Sequence, residues 1–119
     1  LQFKRMSLVR GIFIDSLTQK VEYIKDIQSY KDIQNRLGKC IDIGYTFENG
    51  DCVFIDTNAA TQIGIRTGFE LQKIKFVGNG LILNHATDGT LSSSHCGSRT
   101  IERRLKFIDL SEIDLSDMF

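Results

Sequence analysis

The 119-residue chain contains no proline and no tryptophan. Zero proline is low against an average near ~5%, and together with the abundance of Ile, Lys, Asn and Asp it points to an AT-rich genome. Net charge is missing too, since 15 Lys and Arg balance 15 Asp and Glu. Such a composition carries no broad attraction to nucleic acid or anionic lipid, and leaves only a local patch open. No stretch approaches the ~18 consecutive apolar residues of a membrane span, so none is expected. Residues 1–10 lack a continuous apolar core and a small-residue cleavage pattern, and read as neither a signal nor a transit peptide. Met6 is a candidate natural start, which would make Leu1 to Arg5 a remnant of a tag; residues 1–7 as a whole read as an N-terminal extension or tag remnant ahead of the domain.

Paired cysteine spacing is also absent. Cys40, Cys52 and Cys96 are an odd set, which favours reduced thiols in a cytoplasmic, reducing compartment and no disulfide. His85 and His95 add zinc-ligand types, but no Cys-x-x-Cys or His-x-x-x-His spacing exists, so no metal and no cofactor are expected.

What remains is ordinary for a globular chain: 41% hydrophobic and 25% charged residues. The length fits one domain, here 8–110 followed by an acidic tail at 111–119, and a domain of this size buries about two-thirds of its unfolded surface.

Leu8 to Asp15 and Val21 to Ile27 read as two paired strands around a turn at Asp15-Ser16-Leu17-Thr18. Ser29 and Asp32 are spaced as a capping box. Tyr30, Ile33 and Leu37 form one apolar stripe, and Gly38 suits a left-handed C-terminal cap. Asn49-Gly50 between two apolar runs predicts a two-residue type I′ hairpin. Phe47 then faces Cys52 and Tyr45 faces Phe54, so that Ile41, Ile43, Tyr45, Phe47, Cys52 and Phe54 line one face.

An irregular stretch from Thr57 to Gly68 follows, with one helical turn at Ala59, Ala60 and Ile63. Phe69 to Lys73 reads as a short edge strand. Ile74 to Asn84 reads as a strand interrupted by Gly78-Asn79-Gly80. After a turn at Asp88-Gly89 and a loop from Ser92 to Gly97, Ser98 caps a short helix through Arg104. Leu105 to Leu110 is the last strand. The order predicts an α+β domain, a mostly antiparallel β-sheet with one or two short helices packed on one face.

This pattern resembles a small family of uncharacterised domains encoded by phages, plasmids and large viruses. The resemblance runs from Arg10 to about Asp109. It is carried by Gly11 to Asp15, by the helix ending at Gly38, by Ile41 to Asp56 around Asn49-Gly50-Asp51, and by Phe76 to Leu83 with Asp88-Gly89 behind it. The family pattern often has glycine where this chain has Asn84-His85. The resemblance implies a viral or mobile-element accessory protein acting in the host cytoplasm, and supplies no catalytic residues.

Three constellations bear on chemistry. Gly78-Asn79-Gly80 lets backbone N–H groups approach an anion, although no Gly-Lys-Ser/Thr follows to make a phosphate loop. The plainer reading is a β-bulge or a close backbone crossing. Arg99, Arg103, Arg104 and Lys106 form a basic cluster, with Arg99 and Arg103 at i, i+4, suited to phosphate, RNA backbone or an acidic partner. The plainer reading there is a solvated surface facing the acidic tail. Cys96 with His85 or His95 and Asp88 has the residue types of a nucleophile with its base, against the commoner case of exposed loop residues.

The leading expectation is therefore a non-catalytic binding module for a host or viral protein or nucleoprotein, contacted through Arg99 to Lys106 and the Thr87 to Gly97 loop. A binder of a nucleotide or other small anion, using Gly78 to Gly80, Asn79, Arg99 and Arg103, is the alternative. A small cysteine/histidine enzyme comes third.

Overall fold

Val9–Asp15 and Gly80–His85 are apolar on both sides of their pleat, so strands built from them need cover on both faces. The computed structural model describes residues 2–3, 8–61 and 64–110 and supplies that cover. The elements in chain order are β1 (Gln2–Phe3), β2 (Val9–Asp15), β3 (Lys20–Ile27), α1 (Tyr30–Leu37), β4 (Ile41–Thr46), β5 (Asp51–Asp56), β6 (Thr67–Leu71), β7 (Ile74–Val77), β8 (Gly80–His85), β9 (Thr90–Ser92), α2 (Ser98–Arg104) and β10 (Lys106–Asp109). The fold is α+β and, apart from the parallel pair β1–β9, its described strand pairs are antiparallel. No helix among the described residues is long and apolar enough to cross a membrane. The acidic tail and Ile63 of the expected helical turn lie outside the described residues; the turn itself is a short 3-10 helix at Ala59–Thr61.

Two sheets form. In the larger, β8 is central: Ile82 lies between Ile12 of β2 and Val53 of β5. Strand β3 extends the sheet beyond β2, and β4 extends it beyond β5. Strand β9 takes up the end of β8, with Asn84 opposite Ser92, and carries β1. The smaller sheet has the order β10-β6-β7.

Pleat alternation divides the large sheet between two cores. Phe13, Cys52, Phe54, Leu81 and Leu83 pack with Ile33 of α1. Ile12, Ile14, Val53 and Ile82 pack with Phe69, Leu71 and Phe76 of the small sheet and with Ile101 of α2. Each of these fully buried aliphatic side chains contributes about 1.5–3 kcal/mol. The helices are thus not gathered on one face: α1 covers one core, while α2 shares the other with the small sheet.

Helix α1 forms as its sequence dictates. Ser29 Oγ accepts from the Asp32 N–H at 3.3 Å, and the Asp32 carboxylate accepts from the Ser29 N–H at 3.2 Å. Gly38 ends the helix at φ 132°, ψ −174°. This is an extended positive-φ conformation that essentially only glycine adopts, rather than the left-handed helical cap expected. A Cβ there would also run into the side chain of Asp56.

The hairpin at Asn49-Gly50 differs from expectation in its register. The Gly50 N–H donates to Phe47 O at 3.1 Å and the Phe47 N–H to Asp51 O at 2.7 Å. The loop is therefore three residues, Glu48-Asn49-Gly50, with only Gly50 at positive φ (90°), the other common hairpin geometry. The extra residue moves Thr46 opposite Cys52 and Tyr45 opposite Val53. A bulge at Gly44 then resets the pairing, so that Ile43 rather than Tyr45 faces Phe54. Ile41 and Ile43 join the α1 core, while Tyr45 and Phe47 join the other. The single apolar face expected across this hairpin is split because a bulge inverts the alternation. Glycine is required at the bulge, since a Cβ on Gly44 would stand 2.6 Å from Phe76 Cε1.

The expected strand Ile74 to Asn84 is two strands in two sheets. The chain leaves the small sheet at Val77, turns at Gly78 (φ 82°) and enters the large one at Gly80. A Cβ on Gly80 would lie 2.6 Å from Phe69 Cζ, so what passes close to this glycine is an aromatic side chain rather than the backbone crossing expected. Strand β6 is central in the small sheet, not an edge, because β10 returns to pair with it. It ends in a two-residue turn at Gln72 (φ 53°) and Lys73 (φ 64°). Positive φ at both central residues is the type I′ requirement, met here without Asn or Gly. In α2 the N-cap is Gly97, without a side-chain cap, and Ser98 is already helical.

Candidate functional site

Asp51 opens β5 directly after the hairpin turn and is fully buried, at 0% exposure. Its Oδ1 accepts from the His95 N–H at 2.9 Å and from Asn84 Nδ2 at 3.0 Å. Its Oδ2 accepts from the Cys96 N–H at 2.8 Å and from Asn49 Nδ2 at 3.2 Å. Burial pushes the carboxyl up, but the hydrogen bonds from the His95 N–H, the Asn84 amide and the Cys96 N–H outweigh it and hold the group below its ordinary value. A buried carboxylate with four donors stays ionised without a cation. It clamps the loop leading into α2 to the hairpin tip and the end of β8. Asn84 completes the tie by donating to Asn49 O at 3.1 Å.

This clamp brings Cys96 to the hairpin, where its sulfur takes the Asn49 amide N–H at 3.3 Å. Burial pushes the Cys96 thiol up, and the Asp51 carboxylate pushes it further, the opposite of thiolate activation. Among the described residues no hydrogen bond joins Cys96 to either histidine. The His95 side chain is exposed, and the contact the clamp uses is its backbone N–H. His85 is half-buried at the end of β8, with its N–H on Gly50 O at 3.0 Å. Asp88 accepts from the Thr90 N–H at 2.9 Å, and that bond draws its carboxyl below the usual range. Its job is the turn, not the thiol. No group of three or more His, Cys, Asp and Glu among the described residues is placed to hold a metal ion.

The basic residues fall on one corner. Ile101 of α2 is buried, and Arg99 and Arg103 stand about 200° around the helix from it, facing solvent. Arg104 and, on β10, Lys106 are exposed beside them. The ion pair found among the described residues, Arg36 with Asp26 at 3.8 Å, lies elsewhere. None there involves Arg99, Arg103, Arg104 or Lys106. Residues 99–106 thus carry four cations against one anion, Glu102.

Asn79 stands apart from this corner. Its Oδ1 accepts from the Ser16 N–H at 2.9 Å and from Ser16 Oγ at 3.2 Å, tying the β2–β3 turn to the sheet junction. The cation beside it is Arg66, while Arg99 and Arg103 do not line the same cleft. Asp51 and Arg66 are the residues that sequence reasoning passed over. Apart from Asn49, the donors to the Asp51 carboxylate lie 33 to 45 positions away, so no local pattern announces its burial.

Comparison of the chain with protein-family models, curated proteins and solved structures returns no match.

Proposed function

We propose that this protein is a non-catalytic binding module that engages an anionic surface on a host or viral macromolecule through α2 and the loop before it. The observation that carries this reading is the corner of Arg99, Arg103, Arg104 and Lys106, exposed and without ion pairs among the described residues in a chain of zero net charge. Guanidinium groups with no ion pair among the described residues are available to carboxylate or phosphate. The loop that delivers them is held by the buried Asp51 clamp, so the cations stand on a fixed platform. The accessory role implied by the sequence resemblance is compatible with such a module.

Charge reversal tests the reading. Immobilised wild-type protein should retain a partner from host-cell lysate at low salt and release it as salt rises. The double variant Arg99→Glu, Arg103→Glu, with an unchanged melting temperature, should retain none of it. Equal retention by a folded variant would move the binding surface away from α2.

A further inference from the structure

We infer that the cleft where the two sheets meet is a binding site for a small organic carboxylate with an apolar body. The cleft has a volume of about 270 Å³, lies where β7 hands over to β8, and is separate from the basic corner of α2. Leu17, Leu37, Ala59 and Ile65 give it apolar walls, and Arg66 and Asn79 give it polar ones.

The two polar groups point to an acceptor. Asn79 Oδ1 is occupied by the Ser16 N–H and hydroxyl, which fixes the amide so that Nδ2 is the free end. Nδ2 has no hydrogen-bond partner among the described residues. Arg66 donates through Nη1 to the neighbouring Ile65 O at 3.2 Å and meets no carboxylate among the described residues. The floor is rigid, because Ser16 Oγ also bonds Thr67 Oγ1 at 3.0 Å. Gly78 lines the cleft without a side chain, and Gly64 has open space where a Cβ would point. A fixed amide donor, a guanidinium that meets no carboxylate among the described residues and apolar walls match a carboxylate head on a small apolar body. A phosphate dianion would meet only one cation, and a neutral apolar molecule would leave both donors unmatched. The volume sits just under the usual range for drug-sized ligands, about 300–1,000 Å³, so the occupant is small.

Amide-resolved NMR titration of the full chain tests this with three probes. Benzoate carries body and charge, benzyl alcohol the body alone, and inorganic phosphate the charge alone. Benzoate should give saturable shifts at Arg66, Gly78 and Asn79 in the millimolar range, with benzyl alcohol and phosphate each at least roughly tenfold weaker. Arg66→Gln should weaken benzoate by roughly tenfold at an unchanged melting temperature, because the side chain is exposed and, among the described residues, bonds only its neighbour's carbonyl. The inference is overturned if these amides show no saturable shift up to about 10 mM, if either control probe matches benzoate, or if the variant binds as wild type.

Discussion

Replacing Asp51 by Asn keeps the shape of the side chain and removes its charge, and the geometry makes the outcome sharp. Each carboxylate oxygen accepts two donors: His95 N–H and Asn84 Nδ2 on Oδ1, Cys96 N–H and Asn49 Nδ2 on Oδ2. Whichever way an amide is turned, its NH2 faces two N–H groups. Asn49 does not relieve this by flipping, since its own Oδ1 holds the Asp51 N–H at 2.9 Å. Two charge-assisted hydrogen bonds are lost at about 1.5–3 kcal/mol each, partly offset by water reaching the more exposed Asn49. The net cost is about 3 kcal/mol, or a melting temperature lower by roughly 10 °C in a domain of this size. Thermal unfolding followed by circular dichroism at pH 7 measures it. The pH dependence checks the cause. A carboxyl whose folded pKa is depressed adds stability that is fully present above its unfolded pKa and disappears as pH falls through the folded one. The gap between wild type and Asp51→Asn should hold steady from pH 8 to about pH 5, begin to narrow near the ordinary carboxylate value of ~4, where the unfolded chain takes up its proton, and close only at lower pH, once the depressed folded carboxyl protonates as well. A variant melting within about 2 °C of wild type at pH 7 would mean that the buried carboxyl is neutral, and the clamp argument would fail.

Three further variants probe local geometry by denaturant unfolding. Gln72→Asn with Lys73→Gly places preferred residues in the two positive-φ positions of the β6–β7 turn and should stabilise by about 1 kcal/mol; a loss of stability would argue against this turn conformation. Gly50→Val should destabilise by roughly 1–3 kcal/mol, because Gly50 sits at φ 90° and its Cβ would press on the Asn84 amide at 3.1 Å. Ser29→Ala should cost about 1 kcal/mol through loss of the α1 cap, and an unchanged midpoint would show that the cap is redundant.

Features legible in the sequence are those whose cause is local. The capping box needs only Ser29 and Asp32, and the structure forms it. Strand positions rich in β-branched residues became β2, β3 and β5 nearly as bounded. The hairpin register was not legible, because Asn-Gly supports both a two-residue and a three-residue loop. The choice is made by Asp51, which must stand opposite Phe47 and turn its carboxylate into the clamp. The bulge at Gly44 compensates and returns Ile43 to the α1 core opposite Phe54. The division into two sheets was equally hidden. It depends on Phe69 passing close over Gly80, a contact between residues that no local pattern relates.

The candidate site divides along the same line. Cations on α2 lie within one helix and its following strand, so their clustering shows in the sequence alone. What makes them a fixed surface is a carboxylate some 45 positions earlier, and a lone Asp beside an Asn-Gly turn reads as an ordinary solvated turn residue. Burial is what distinguishes it. An ionised side chain at 0% exposure is tolerable only with its donors in place, and two of the four are backbone N–H groups of the loop leading into α2. The histidine and cysteine that suggested catalysis serve the fold through main-chain amides rather than through imidazole and thiolate. The same residues at 95 and 96 therefore carry a structural role that their side-chain chemistry conceals: their main-chain amides anchor the loop before α2 to Asp51.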